Sequence, residues 1–237
     1  MPTIKYIVAY ITPYIALGIF LGGIAYQISR WRQRKPAPAK LALYPQPKGF
    51  WGRLGDTLLD MFTLKGLFRV NKPLWIGGLV MHVGLLLLLL GHIRVATDFY
   101  FLWDWLGWGE EELHIFSAVA GILAGLLFAI PLFYLLGRRW SGPVKWLSTP
   151  EDFFVLFLLI AIATTGFHMR LVLEPDQEGM RHFMQSLFTF SWKAVPESAG
   201  GSFYWHFGLV QLLMVYFPFS KLMHTIGAVL SKMVTKG

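Results

Sequence analysis

The sequence predicts an all-α integral membrane protein, a bundle of five transmembrane helices. Two observations predict it. Of 237 residues, 55% are hydrophobic and only 14% charged, whereas soluble domains sit at roughly 45–50% and about 25%. Five long apolar stretches also lack Asp, Glu, Lys and Arg: residues 6–29, 73–93, 113–137, 153–169 and 202–220. Each approaches the roughly 20 helical residues that cross a bilayer core. The fourth reaches that length by running on to Leu173, with Arg170 snorkelling to the interface. No segment between them is long enough for a soluble domain, so residues 1–237 read as one membrane domain. The first span is not expected to be a cleaved leader, because Arg30, Arg32, Arg34 and Lys35 follow it rather than precede it.

Loop charge orients the bundle. Of 21 Lys and Arg, 16 fall in residues 30–72, residues 138–151 and the tail from Lys221. The positive-inside rule then places the N-terminus outside and the C-terminus in the cytoplasm of a multi-pass protein of the cell's inner, cytoplasmic, membrane. The net charge of +8 is loop bias and calls for no nucleic acid; membrane lipids are the expected surroundings. In the first inner loop, Pro36, Pro38, Pro45 and Pro47 predict extended chain. Trp51, Leu54, Leu58, Met61, Phe62 and Phe68 then follow with helical spacing, which predicts an amphipathic helix flat at the cytoplasmic interface. That helix reads equally as a membrane anchor and as a docking surface for a soluble partner.

The chain has no cysteine. This excludes disulfides, thiolate zinc sites, cysteine-ligated iron–sulfur clusters and covalently attached haem, so a redox centre would have to be held by histidine, methionine or non-covalent contacts. Seven histidines are present, most of them in or beside spans, where ionisable groups are costly and functional by default. A lone one reads equally as a helix–helix hydrogen-bonding group. His82 and His92 share the second span, and His206 and His224 follow each other on the fifth. Opposite helix directions pair His92 with His206 at the outer level and His82 with His224 at the inner level. Two imidazoles on facing helices are what a bis-histidine haem needs, and two levels imply two haems b. Along straight helices the first pair of residues would be about 15 Å apart and the second about 27 Å. Pro218 can supply the bend that this mismatch requires. Eighteen residues make five whole turns, so span five is expected to present both histidines on one face, with about 80° of offset on span two. Gly77, Gly84 and Gly91 recur on span two, and Ser117, Gly121 and Gly125 on span three; both sets allow close approach.

Nine residues separate His82 from His92, and seventeen separate His206 from His224, with Phe217-Pro218-Phe219-Ser220-Lys221 before the last. Together with Pro13-Tyr14, Arg138-Arg139 and Phe188-Thr189-Phe190, this pattern resembles the membrane cytochrome b (gamma) subunit family of respiratory nitrate reductase. That family includes cytochrome subunits of the sulfite-reduction-associated (Dsr) complex and of membrane heterodisulfide reductase. Leu59-Asp60-Met61, Leu67-Phe68-Arg69 and Pro73-Leu74-Trp75 look closer to this second branch. The resemblance implies an electron-transfer subunit that exchanges electrons with menaquinone or another quinone near the outer haem and with a cytoplasmic iron–sulfur subunit. Further membrane and periplasmic subunits are compatible with it. The resemblance repeats the pairing of His92 with His206 and of His82 with His224.

One departure concerns the quinone. Where nitrate reductase subunits carry a lysine near the start of span three, this chain has Glu110, Glu111, Glu112 and His114. His114 is the expected catalytic proton acceptor, with a nearby glutamate as the alternative; the glutamates also suit a helix N-terminus by charge alone. Arg94 and Arg170 are candidate haem-propionate partners, and equally candidate interface anchors. Arg69, Lys72 and Lys221 share that ambiguity at the inner level, and His182 is given no role. Two other classes compete: a transporter relaying protons through its histidines, and an anchor without cofactor.

Overall fold

The apolar stretches and their capping residues divide the chain into nine helices among the described residues. A computed structural model describes residues 2–33, 49–224 and 226–227; Arg34, Lys35 and the prolines Pro36, Pro38, Pro45 and Pro47 lie outside them. The helices are α1 (Thr3–Arg32), α2 (Gly49–Thr63), α3 (Lys65–Val70), α4 (Lys72–Ala96), α5 (Tyr100–Leu106), α6 (Glu110–Trp140), α7 (Pro150–Leu173), α8 (Gln177–Phe188) and α9 (Gly200–Tyr216). No strand occurs among the described residues. Four of these helices, α1, α4, α6 and α7, are long and apolar enough to cross a membrane.

Helix ends follow local chemistry. Glu110, Glu111 and Glu112 occupy the first turn of α6, and Arg138 and Arg139 its last, so both ends complement the helix dipole. Pro150 opens α7, Asp152 accepts from the Thr149 backbone N–H at 2.9 Å, and Arg139 pairs with Asp152 at 3.2 Å. Asp176 caps α8 by accepting from the Glu178 N–H at 3.1 Å. Gly200 starts α9 at φ +59°, with the Leu173 side chain 3.0 Å from where a Cβ would stand, so no other residue fits there without strain.

The chain forms two compact units. The first comprises Met1–Tyr14 and Val80–Gln211. Its core has two clusters. Ala9, Phe183, Leu187, Ala199 and Phe203 form one, and Phe128, Leu132, Leu136 and Leu156 the other. Helix α4 lies directly against α6 at Gly84: a Cβ there would stand 2.5 Å from the Phe128 nitrogen and 2.7 Å from the Leu127 carbonyl carbon. Gly125 in turn accepts the Phe167 ring, 2.7 Å from its would-be Cβ. Gly91 and Gly121, expected to act similarly, meet no atom within 4 Å. Two separate sequence signatures also meet here. The Tyr14 ring stacks on Phe190 at 5.3 Å, and its hydroxyl donates to the Leu187 carbonyl at 2.7 Å.

The second unit comprises Ile15–Leu79 and Leu212–Gly237. The amphipathic helix expected over Trp51–Phe68 is present but broken. Leu64, at φ +48°, separates α2 from α3, and the Trp75 indole donates to the Thr63 carbonyl at 2.7 Å. Trp51, Leu59 and Phe62 on α2 are exposed. The expected continuous helix over the fifth apolar stretch is also corrected. α9 stops at Tyr216, Phe217–Phe219 and Lys221–Met223 form 3₁₀ turns, and Ser220 between them is extended. Proline lacks the N–H that a continuing helix needs, so Pro218 ends the helix rather than bending it. The five-turn rotation from His206 to His224 therefore does not apply. Gly23 admits Pro218, whose Cβ would lie 2.6 Å from a Cβ at position 23. Gln27 donates to the Pro218 carbonyl at 3.0 Å.

A methyl group at Gly84 would meet backbone, which cannot rotate away, whereas one at Gly121 meets nothing. Gly84→Ala is expected to destabilise the chain by about 1–3 kcal/mol, and Gly121→Ala by less than about 0.5 kcal/mol. Thermal unfolding in detergent checks the pair.

Candidate functional site

Helices α4 and α9 bring two of the predicted histidines face to face. The ring centres of His92 and His206 are 6.2 Å apart, with planes 11° from parallel. Two imidazoles that bind one metal from opposite sides, with metal–nitrogen bonds of about 2 Å, hold their ring centres about 6 Å apart. The pair has that separation.

Their hydrogen bonds decide which nitrogen is basic. His92 Nδ1 lies 2.6 Å from the Leu88 carbonyl oxygen, one turn back on α4. His206 Nδ1 lies 3.0 Å from the Ile162 carbonyl oxygen and 3.1 Å from Thr165 Oγ1 on α7. A carbonyl only accepts, so Nδ1 carries the proton in each neutral ring. Nε2 is left as the lone-pair nitrogen, the arrangement seen in metal-ligating histidines. The Thr165 hydroxyl donates to the Ala161 carbonyl at 2.9 Å, which leaves its oxygen able to accept. Gly166 makes room for the ring: a Cβ there would stand 3.3 Å from His206 Cε1. Thr165 and Gly166 were not singled out in the sequence. Their signal is a Thr-Thr-Gly triplet inside an otherwise apolar span.

Among the described residues no group of three or more His, Cys, Asp or Glu could hold a bare metal ion. Paired histidines would instead suffice for a haem, whose macrocycle supplies the remaining donors to its iron. A haem therefore fits this donor set.

The other predicted residues occupy varied settings. His82 is exposed on α4 in the first unit. His224 follows the last 3₁₀ turn in the second unit, its Nδ1 2.9 Å from the Lys221 carbonyl oxygen. His114 is exposed near the start of α6. Its neighbour Glu112 is committed to the helix cap, accepting from the Gly109 N–H at 3.0 Å. Arg170 has a buried Nη2 without a hydrogen-bond partner, an unsatisfied donor that suits an anionic group.

Arg94 is already engaged, in a cluster whose core the sequence did not reveal. Its Nε and Nη2 donate to the two Asp98 carboxylate oxygens at 3.2 and 3.0 Å. Arg181 on α8 donates to Asp98 Oδ2 at 2.5 Å, to the Arg94 carbonyl at 3.2 Å and to the Tyr100 hydroxyl at 3.1 Å. The Trp103 indole and the Phe99 N–H complete the shell of Asp98, at 2.7 and 2.9 Å. The available signal is an arginine beside Met180 and Phe183, within the apolar stripe of an amphipathic helix, where a charge must be paired.

Burial alone would raise the Asp98 pKa. Hydrogen bonds from Arg94, Trp103 and the Phe99 backbone, with the Arg94 charge, outweigh it and lower the value from 3.8 to about 2. A depressed carboxylate pKa contributes stability that is present above about pH 4 and lost as pH falls through about 2. The shift corresponds to about 2 kcal/mol. Wild-type stability is expected to fall by about that amount over this window, and Asp98→Asn to remove the acid limb while lowering stability at neutral pH by a few kcal/mol. Unfolding in detergent at a series of pH values checks both.

With this geometry established, the relatives are informative. The model of the nitrate reductase gamma subunit family matches residues 62–236. An Hdr-like menaquinol oxidoreductase cytochrome b-like subunit of Archaeoglobus fulgidus is 33% identical, over 93% of this chain and 76% of the relative. A protein of the same name from Archaeoglobus profundus is 26% identical, over 92% and 75%. The nitrate reductase gamma chain of Bacillus subtilis is 24% identical, over 90% and 87%. The resemblance read from the histidine spacing is thus met by an independent match over most of the chain, and this multi-pass, all-helical membrane protein belongs to the nitrate reductase gamma subunit family.

Proposed function

We propose that this chain is a di-haem b membrane subunit that carries electrons between the quinone pool, menaquinone or another quinone, and a cytoplasmic iron–sulfur subunit. Its complex is of the Dsr and heterodisulfide-reductase type. The observation that carries this reading is the His92–His206 pair, with its 6.2 Å separation and both Nδ1 atoms engaged by carbonyl oxygens. The names of the Archaeoglobus relatives, which specify a cytochrome b-like subunit and menaquinol, support the haem and the quinone.

Haem b supplies reversible one-electron chemistry when bound. His92 and His206 would hold one group and His82 and His224 the second. Carbonyl-bound Nδ1 atoms keep Nε2 available and fix each ring. The unsatisfied Nη2 of Arg170 suits a propionate; Arg94, bound to Asp98, has less capacity left for one. His114 is the proposed proton acceptor for quinol, since Glu112 is held in its cap. In this reading α9 and the turns after it make a fifth crossing in the inner membrane, with the N-terminus outside and the C-terminus cytoplasmic. The exposed apolar side chains of α2 then rest at the cytoplasmic interface. A nitrate reductase gamma subunit is the second reading, favoured by the family match and the Bacillus relative.

The purified chain is expected to yield two acid-extractable haems b per polypeptide in a pyridine haemochrome assay; one haem would overturn the double pairing. His92→Ala and His206→Ala should remove the same spectral component, and His82→Ala and His224→Ala the other. If His92→Ala and His224→Ala removed one and the same component, the pairing would be wrong.

His114→Ala is expected to slow quinol-dependent haem reduction by about 10²-fold or more with both haems retained, the lower range of general-base effects. Stopped-flow reduction and the visible spectrum of one preparation check this.

A further inference from the structure

The seam between α7 and α9 has a second polar rung, which iron binding does not use. His168 lies three residues after Thr165 on α7, and Ser202 lies four residues before His206 on α9, each about one turn away. The Thr165–His206 contact is thus followed one turn along by Ser202 Oγ and His168 Nδ1, 2.9 Å apart. His168 is exposed. Directly after it α7 widens into a π-helical turn, Met169–Leu173, a distortion frequent at functional sites. Leu171 and Val172, three and four residues on, and Trp205, three residues after Ser202, are exposed apolar groups.

The partner of Nδ1 sets the two rungs apart. At His206 a carbonyl oxygen can only accept, which fixes one tautomer. At His168 the partner is a hydroxyl, which can donate or accept, so both tautomers of the ring are satisfied. The Nε2 atom of His168 can therefore present a lone pair to a hydroxyl or an N–H to a carbonyl. A hydroquinone offers the first and a quinone the second. His168 stands at the exposed end of α7 beside exposed apolar side chains, a setting that a ligand with a polar head and an apolar tail can occupy.

We propose that His168, backed by Ser202, is the hydrogen-bonding site for a ring oxygen of a quinone in both its oxidised and reduced forms, with the apolar tail lying along Leu171, Val172 and Trp205. The assignment rests on the quinone reading above and adds a binding residue to it.

Equilibrium binding of menadione to the oxidised haem-loaded chain, and of its reduced form to the reduced chain, tests it through quenching of tryptophan fluorescence. His168→Leu is expected to weaken binding of both forms about tenfold, the loss of one hydrogen bond. His168→Gln, which keeps a donor and an acceptor, should return to within about threefold of wild type, and Ser202→Ala should lose about threefold. An unchanged haem spectrum reports an intact fold. If His168→Leu does not retain that spectrum, His168→Gln and Ser202→Ala decide the matter by the same titration. Wild-type affinity in His168→Leu and Ser202→Ala, or weakening by His114→Ala alone, overturns the assignment while the quinone reading stands. Equal competition by phosphatidylglycerol vesicles overturns it in favour of a lipid headgroup. Absence of saturable binding to the wild-type chain overturns both.

Discussion

A backbone carbonyl accepts hydrogen bonds and never donates them, and the chemistry of the first unit depends on that asymmetry. At His92 and His206 the Nδ1 atoms are held by the carbonyl oxygens of Leu88 and Ile162. Each ring is thereby confined to the tautomer whose Nε2 is basic. Without the carbonyls, two neutral imidazoles 6.2 Å apart would be two polar groups in an apolar bundle. With them, they form an oriented donor pair. Helix α7 supplies the Ile162 carbonyl and the Thr165 hydroxyl, and so holds one ring of a histidine pair whose members stand on α4 and α9.

The site also requires helices that approach more closely than ordinary side chains allow. Gly166 leaves room for the His206 ring, Gly84 sets α4 against the α6 backbone, and Gly125 accepts Phe167 from α7. Lipid tails are as apolar as leucine, so packing in a membrane gains little from burial and much from close contact. Beyond the membrane-spanning part of α4 a different device takes over. Asp98 gathers Arg94 and Arg181 into one ionic cluster and ties the end of α4 to α8. In the second unit, Gly23 and Gln27 support the chain where Pro218 ends regular hydrogen bonding.

Much of this was legible in the residues. The long helices follow from apolar runs without charge, since a buried backbone in lipid must satisfy itself by helix formation. The four histidine positions and the pairing of His92 with His206 follow from spacing and chain direction. Tyr14 and the Phe188-Thr189-Phe190 segment were recognised as separate signatures; that Tyr14 and Phe190 stack on each other was not. Other readings needed correction. A continuous helical pattern over Trp51–Phe68 concealed the left-handed turn at Leu64, because hydropathy spacing carries no information on φ. Five whole turns between His206 and His224 assumed a helix that Pro218 ends.

The sequence by itself determined helical class, the extent of the apolar segments, the absence of cysteine and the two histidines that come to face each other. These depend on composition and on periodicity along one chain. Only the tertiary structure decided which nitrogen of each histidine is basic, that Arg94 is bound to Asp98 while Arg170 keeps an unsatisfied Nη2, and that His168 faces a serine hydroxyl rather than a carbonyl. A tautomer or an ion pair is set by the partner atom within about 3 Å, and that partner lies on another segment of the chain for His206, Arg181 and His168 alike. Residues tens of positions apart become neighbours through packing, and their distance along the chain does not encode which polar atoms will meet.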